Sequence, residues 1–198
     1  IITGADYVNT WSDEGSNIYS ADLTTETHFV KHNNVILTEN AGNYGSLSLN
    51  EWDWYDGKLY VNVGAGGPGS DEIQAAQRET VVDTGDHSYI TIRNIRGEFA
   101  NGTAAVFNRV SNTSTNIIFQ YCGAYYFRRA GFKIQSGATL NAASQVLSCT
   151  SAYGYGNGIV VQASSSSYDL SGVVVDSNEI QNITQASDFA YNYGITLF

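Results

Sequence analysis

The chain is written in short runs where apolar and polar residues alternate, and from residue 89 onward those runs recur at a fixed interval. Ile90, Ile92 and Ile95 are followed by Ile117, Phe119 and Cys122, and then by Ser144, Val146 and Cys149, each step being 27 residues. A second set keeps that spacing: Ala105 with Phe107, Phe132 with Ile134, and Ile159 with Val161. Alternation marks strands buried on one face. A period of this size, made only of β-patterned runs, predicts an all-β solenoid of stacked coils of about 27 residues.

The coils are expected at 89–114, 115–141 and 142–168. A fourth departs from the period, with a longer link across Ser164–Ser167 and an insertion at Glu179–Tyr193. Insertions in solenoids tend to collect on one face and carry function. The last coil is cut at Phe198, which reads as part of a longer protein or as an edge for self-association through open coil ends. Residues 1–88 are expected to supply N-terminal coils, a cap over one end and an aromatic hairpin within a single domain 1–198. In that hairpin Asp56-Gly57 separates Trp52-Asp53-Trp54-Tyr55 from Lys58-Leu59-Tyr60-Val61, a strong turn signal. The hairpin serves as a lid on a neighbouring coil or, less favourably, presents sugar-stacking rings.

Composition sharpens the picture in two ways. A formal net charge of −10 argues against a nucleic-acid partner, and no stretch is apolar enough for membrane insertion. The charge is uneven: residues 1–88 hold 14 acidic and 3 basic side chains, residues 89–198 hold 5 and 6. The repeats are therefore the electropositive part of an acidic protein. Cys122 and Cys149 fall one repeat apart on one inward column. Neighbouring strands lie about 4.8 Å apart, which a disulfide tolerates and which equally suits two stacked buried thiols. The glycine run Gly66-Gly67-Pro68-Gly69 lacks the Gly-Lys-Ser/Thr ending of a phosphate-binding loop. Asn-x-Ser/Thr sequons stand at Asn101, Asn112 and Asn182.

The hairpin run Trp52–Val61, the run Ser88–Ile95, and the strand starts Gly158-Ile159-Val160-Val161 and Gly194-Ile195-Thr196-Leu197 together resemble the right-handed parallel β-helix proteins of the pectin-lyase-like superfamily. The resemblance implies a right-handed parallel β-helix. It does not fix an activity, because the superfamily includes polysaccharide lyases, glycoside hydrolases, phage tailspikes and proteins of no known reaction. Its pectin-hydrolase pattern of clustered Asp with Gly-His-Gly is absent, and so is the pectate-lyase pairing of an Arg with a nearby Pro.

Laying the coils over one another puts Phe99, Tyr126 and Tyr153 in one column and Asn101, Arg128 and Tyr155 in the next, with Arg129 close by. The coil-four insertion adds Asp188, Tyr191 and Tyr193. Rings in register beside guanidinium groups suit an oligosaccharide, and the excess of cations over 93–133 points to an acidic one. For a lyase the candidates are Arg128, Arg129, Lys133 and Tyr155; for a hydrolase, Asp176 with Glu179 or Asp188. Stacked core or turn aromatics and solvated arginines are the plainer explanation of the same columns. Asn108, Gln135 and Gln162 are expected in one amide column, and Asn178 at the Cys149-equivalent position. Asp83 and Asp86 offer a weak Ca²⁺ site. The expectation is a secreted or cell-surface protein that binds, and as an enzyme cleaves, an acidic polysaccharide. The alternative is a non-catalytic structural or adhesive β-solenoid, such as a fibre, tailspike or surface-filament module.

Overall fold

The computed structural model describes residues 1–198 except 70–71, 103–104, 112–114, 137–142, 164–169, 171, 185–192 and 198. The described residues are all β, with no helix among them, and so no helix long and apolar enough to cross a membrane. They fall into two compact units, one of residues 5–77 and one of residues 1–4 with 78–198.

The second of these units is built from three parallel sheets, which the chain visits in the same order again and again. The first sheet holds Ile90–Arg93, Ile117–Gln120, Gln145–Leu147 and Val174–Asp176. The second holds Ile2–Thr3, Arg96–Ala100, Gly123–Phe127, Thr150–Ala152 and Glu179–Gln181. The third holds Val82–Asp83, Phe107–Ser111, Ala130–Ser136, Asn157–Ala163 and Tyr193–Leu197. Strands pair with their equivalents one repeat on, so backbone donors and acceptors are satisfied between repeats. In the first two sheets the step is 27 residues over three repeats, as in Ile92↔Phe119 and Gly97↔Ala124, and lengthens to 29 at the fourth, as in Val146↔Val175 and Thr150↔Glu179.

In the third sheet the register departs from the expected one. Phe107 lies opposite Phe132 and Val82 opposite Phe107, steps of 25, before Phe132↔Ile159 returns to 27. A shift of two residues keeps the same side chains inward, and here it sets Phe107 flat on Phe132, with ring centroids 4.9 Å apart. The expected amide column is corrected accordingly: Gln135 and Gln162 do pair, but Asn108 lies opposite Lys133. The insertion is also corrected. Glu179–Gln181 is a strand of the second sheet and Tyr193 begins one of the third. Tyr155 and Thr184 are bridged at a step of 29 and Asn157 and Tyr193 at 36, so the seven extra residues fall between Thr184 and Tyr193, outside the described residues.

Corners between sheets are made by residues in the left-handed backbone region, and these too stack in columns. Tyr89, Asn116 and Ala143 form one, Asn94, Tyr121, Ser148 and Ser177 a second, and Phe99, Tyr126, Tyr153 and Asn182 a third. Most donate their N–H to a carbonyl of the following repeat, as Tyr121 does to Leu147 at 3.1 Å and Ser148 to Asp176 at 3.0 Å.

Inside, Ile117, Phe119, Phe132, Ile134, Val146, Ile159 and Val161 are buried. Cys122 and Cys149 are free thiols beside the second corner. The Cys149 sulfur accepts the Cys122 N–H at 3.4 Å, and Asn178 Oδ1 accepts the Cys149 N–H at 2.8 Å. Asn178 Nδ2 in turn donates to Val146 O at 2.8 Å, so Asn178 continues the Cys122 and Cys149 column by bonding to backbone rather than to another amide. The Cys122 thiol beside it, with burial second, pushes the Cys149 thiol up.

In the unit of residues 5–77, the predicted hairpin forms from Glu51–Tyr55 and Lys58–Asn62, with Asp56 and Gly57 both at positive φ. It sits in a five-stranded sheet with Ser12–Gly15, Ile18–Asp22 and Thr38–Glu39. One face packs Trp52, Leu59, Val61 and Ala21 into a core against a smaller sheet containing Val30 and Ile73. Trp54 lies against this core and donates Nε1–H to Leu23 O at 2.7 Å.

Three outcomes follow. Removing the Phe107 ring by Phe107→Ala should lower stability by about 3–5 kcal/mol. At Gly131 a Cβ would stand 2.0 Å from Ser151 Oγ and 2.8 Å from Gly158 O, so Gly131→Ala should cost at least the ~1–3 kcal/mol of ordinary overpacking; denaturant titration measures both. A thiol reagent at mildly alkaline pH should leave Cys149 unmodified in the native protein and label it on unfolding, as counted by mass.

Candidate functional site

The third corner carries the ring column that the repeat spacing predicts. Phe99 and Tyr126 stack with centroids 5.2 Å apart and planes 13° from parallel, and Tyr126 and Tyr153 follow at 5.7 Å and 22°. Exposure rises along the column, from Phe99 at 1% to Tyr153 at 47%. The left-handed backbone at each position aligns the three corners, and the parallel register sets their spacing. Burial, with the Glu98 charge second, pushes the Tyr126 phenol up. Tyr155, half-buried, follows in the next turn, where its N–H donates to Phe127 O at 2.7 Å.

The chain leaving Tyr126 carries half-buried Arg128 and exposed Arg129, then enters the third sheet at Ala130. Lys133 stands in that strand, half-buried, opposite Asn108 on one side and Val160 on the other. Burial, with the Arg129 charge second, pulls the Lys133 ammonium below the ordinary lysine range. Asn108 Nδ2 donates to Asp83 Oδ2 at 3.2 Å, but its Oδ1 is buried without a hydrogen-bond partner, and so is Oγ1 of Thr84. Thr84 is tied to the same strand by its N–H to Asn108 O at 3.1 Å. A buried acceptor thus lies on the strand beside Lys133. Buried polar atoms are seldom left unpaired.

Sequence spacing misses a second cluster, beside the second corner. Arg96 forms an ion pair with Glu98, which is buried, and its guanidinium lies 4.1 Å from the centre of the Tyr125 ring. Gly123 is the signal that could have revealed it. It occupies the Arg96 column one repeat on, and a Cβ there would stand 2.5 Å from the Tyr125 ring, so only glycine lets the ring lie across. Arg96, Tyr121, Tyr125, Ser148 and Thr150 line an open groove of about 320 Å³. Tyr125 also stacks on Tyr153 at 6.5 Å, which joins this groove to the ring column.

The remaining candidates divide. Asp176 is exposed at the end of the first sheet, where Ser177 Oγ donates to its Oδ2 at 3.2 Å, and Glu179 is exposed just beyond that corner. These two lie at the second corner, whereas Lys133 lies in the third sheet. Asp188 and Tyr191 lie outside the described residues, and Tyr193 is placed only as a strand position opposite Asn157. Asp83 is turned to protein donors, with Oδ1 accepting the Gly85 N–H at 2.8 Å and Oδ2 the Asn108 amide. Among the described residues, no group of three or more His, Cys, Asp or Glu could hold a metal ion.

Arg96→Ala should remove the partner of a buried carboxylate and lower stability by about 1–3 kcal/mol, whereas Arg129→Ala at an exposed position should change it by less than about 0.5 kcal/mol. Thermal or denaturant unfolding of the two variants checks the contrast.

No family model matches the chain, and no curated protein matches it. Among solved structures, XylC in complex with xylose is similar in fold, with a TM-score of 0.50 and 11% sequence identity over 92% of this chain and 51% of XylC. The chain thus spans about half the length of that protein, and at this identity the likeness is one of fold.

Proposed function

We propose that residues 78–198 wind as a right-handed parallel β-helix of the pectin-lyase-like kind, and that the protein is a secreted or cell-surface carbohydrate-binding protein whose ligand is an acidic polysaccharide. The observation that carries this reading is the ring column Phe99, Tyr126 and Tyr153, graded from buried to exposed and flanked by cations. Tyr153 offers a face on which a sugar ring can stack. Arg128 and Arg129 supply cationic donors for carboxylates. The three sheets visited in constant order, and the likeness in fold to a protein solved with xylose, support the same reading.

As an enzyme, the protein would act by β-elimination. Lys133, held toward its neutral form by burial and Arg129, would take the C5 proton α to the uronate carboxylate while an arginine neutralises that carboxylate; the electron pair left at C5 forms the C4–C5 double bond as the glycosidic oxygen leaves C4 and takes a proton from solvent. Asn108 Oδ1, on the neighbouring strand, would accept a sugar hydroxyl. The base works deprotonated, so turnover should rise with pH and level off below the ~10.4 of an ordinary lysine.

A structural or adhesive role is the second reading. It is favoured by the parallel stacking of strands in all three sheets, which suits a rigid module.

The test is titration with a panel of uronate and neutral oligosaccharides, together with the ultraviolet absorbance of unsaturated products. Tyr153→Ala should weaken uronate binding about tenfold, and Lys133→Ala should abolish turnover while leaving binding in place. Absence of binding to every glycan, together with concentration-dependent assembly in sedimentation, would replace this reading with the structural one.

A further inference from the structure

The unit of residues 5–77 holds a different arrangement on the sheet face opposite its core. Alternation along Glu51–Tyr55 and Lys58–Asn62 sends Trp52, Trp54, Leu59 and Val61 to the core side and Asp53, Tyr55 and Tyr60 to the other. Asp53, Tyr60 and Ser20 form one row across three strands. Glu14 reaches this row from the next strand, its Oε1 accepting the Ser20 hydroxyl at 2.5 Å.

The loop 40–50 is tied onto the same face. Glu51 Oε2 accepts Asn40 Nδ2 at 2.8 Å and the Ser48 N–H at 2.7 Å, and Asn62 Nδ2 donates to Leu47 O at 2.7 Å. Held in this way, Tyr44 stacks on Tyr55 at 4.5 Å and leans on Tyr60 at 4.9 Å. Tyr55 remains 50% exposed and Tyr44 37%. The result is a fixed aromatic surface on a rigid sheet.

Its electrostatics are the reverse of those around Tyr126. Residues 5–77 carry 11 acidic side chains and 2 basic ones. Glu14 and Asp56 lie close enough to Tyr60 to push its phenol up, after burial. Asp53 is 3% exposed and its Oδ2 has no hydrogen-bond partner. A carboxylate oxygen left unpaired in the interior is costly, and a cationic donor brought to this face would offset that cost.

We infer that the Tyr44, Tyr55 and Tyr60 surface with Asp53 and Glu14 is a second binding site, for amine-bearing sugars such as glucosamine oligomers. The rings stack on the apolar sugar face and attract the ammonium by cation–π contact. The carboxylates select the positive charge and reject uronates by repulsion. This site is independent of the uronate reading, since it rests on different residues, a different unit and the opposite charge.

Calorimetric titration of the full chain with glucosamine hexamer, its N-acetylated counterpart and a uronate hexamer tests it. The glucosamine hexamer should bind, weaken as salt is raised, and lose about tenfold in affinity with Tyr55→Ala and with the isosteric Asp53→Asn. Tyr153→Ala should leave that binding unchanged. Equal binding of the N-acetylated hexamer would overturn the role of the amine. Failure of the glucosamine hexamer to bind, or binding indifferent to both Tyr55→Ala and Asp53→Asn, would overturn the site, whatever the uronate arm shows.

Discussion

The structure of residues 78–198 depends on corners that have to repeat in register. A chain that changes direction several times per repeat needs residues with positive φ at each corner, and non-glycine residues adopt that region at a cost of about 1–3 kcal/mol each. Asn94, Tyr121, Ser148 and Ser177 all do so at one corner. What offsets the cost is the neighbour: the corner N–H of one repeat finds a carbonyl of the next, as Asn94 finds Gln120 at 3.2 Å and Tyr121 finds Leu147 at 3.1 Å. A corner is therefore stabilised by having another like it alongside. The sulfur and amide ladder of Cys122, Cys149 and Asn178 serves the same end just inside the second corner, accepting backbone donors that water cannot reach.

This constraint also explains how the candidate site arises. Once a corner recurs at a fixed distance, any ring placed there is repeated at stacking distance without further design. Phe99 is the buried, structural end of that column, and Tyr153 is the end left open to solvent. A buried structural column and an exposed aromatic surface are in this sense one object viewed at two depths. The cations that follow Tyr126 in sequence are held by the same geometry, because the chain must pass directly from that corner into the third sheet.

Much of this was legible in the sequence, and the failures have physical causes. The inward columns of the first two sheets were readable because Ile90, Ile117 and Ser144 hold a strict interval. In the third sheet, the period of two along a strand makes steps of 25 and 27 equally good for burial. Only the flat contact of Phe107 on Phe132 decides between them. The Asn108 column failed for that reason, and with it the recognition that Asn108 is the neighbour of Lys133. The hairpin at Asp56-Gly57 was legible because a two-residue turn is local. Its partners Ile18–Asp22 and Thr38–Glu39 were not, because their pairing is set by contacts distant in sequence. Arg96 and Tyr125 escaped because their contact crosses repeats through the space left by Gly123, which no column of like residues announces.

The two units differ in what their β-faces do with charge, and that difference bears on function more than the fold does. In the repeats, basic residues gather where the backbone is most constrained, so a bound anion would meet donors already fixed in place, at little cost in ordering. In residues 5–77 the carboxylates of Asp53 and Glu14 are fixed on a sheet whose other face is core. Each surface taken by itself would therefore favour a ligand of the opposite sign and repel one of its own, and the repulsion would discriminate as much as the attraction.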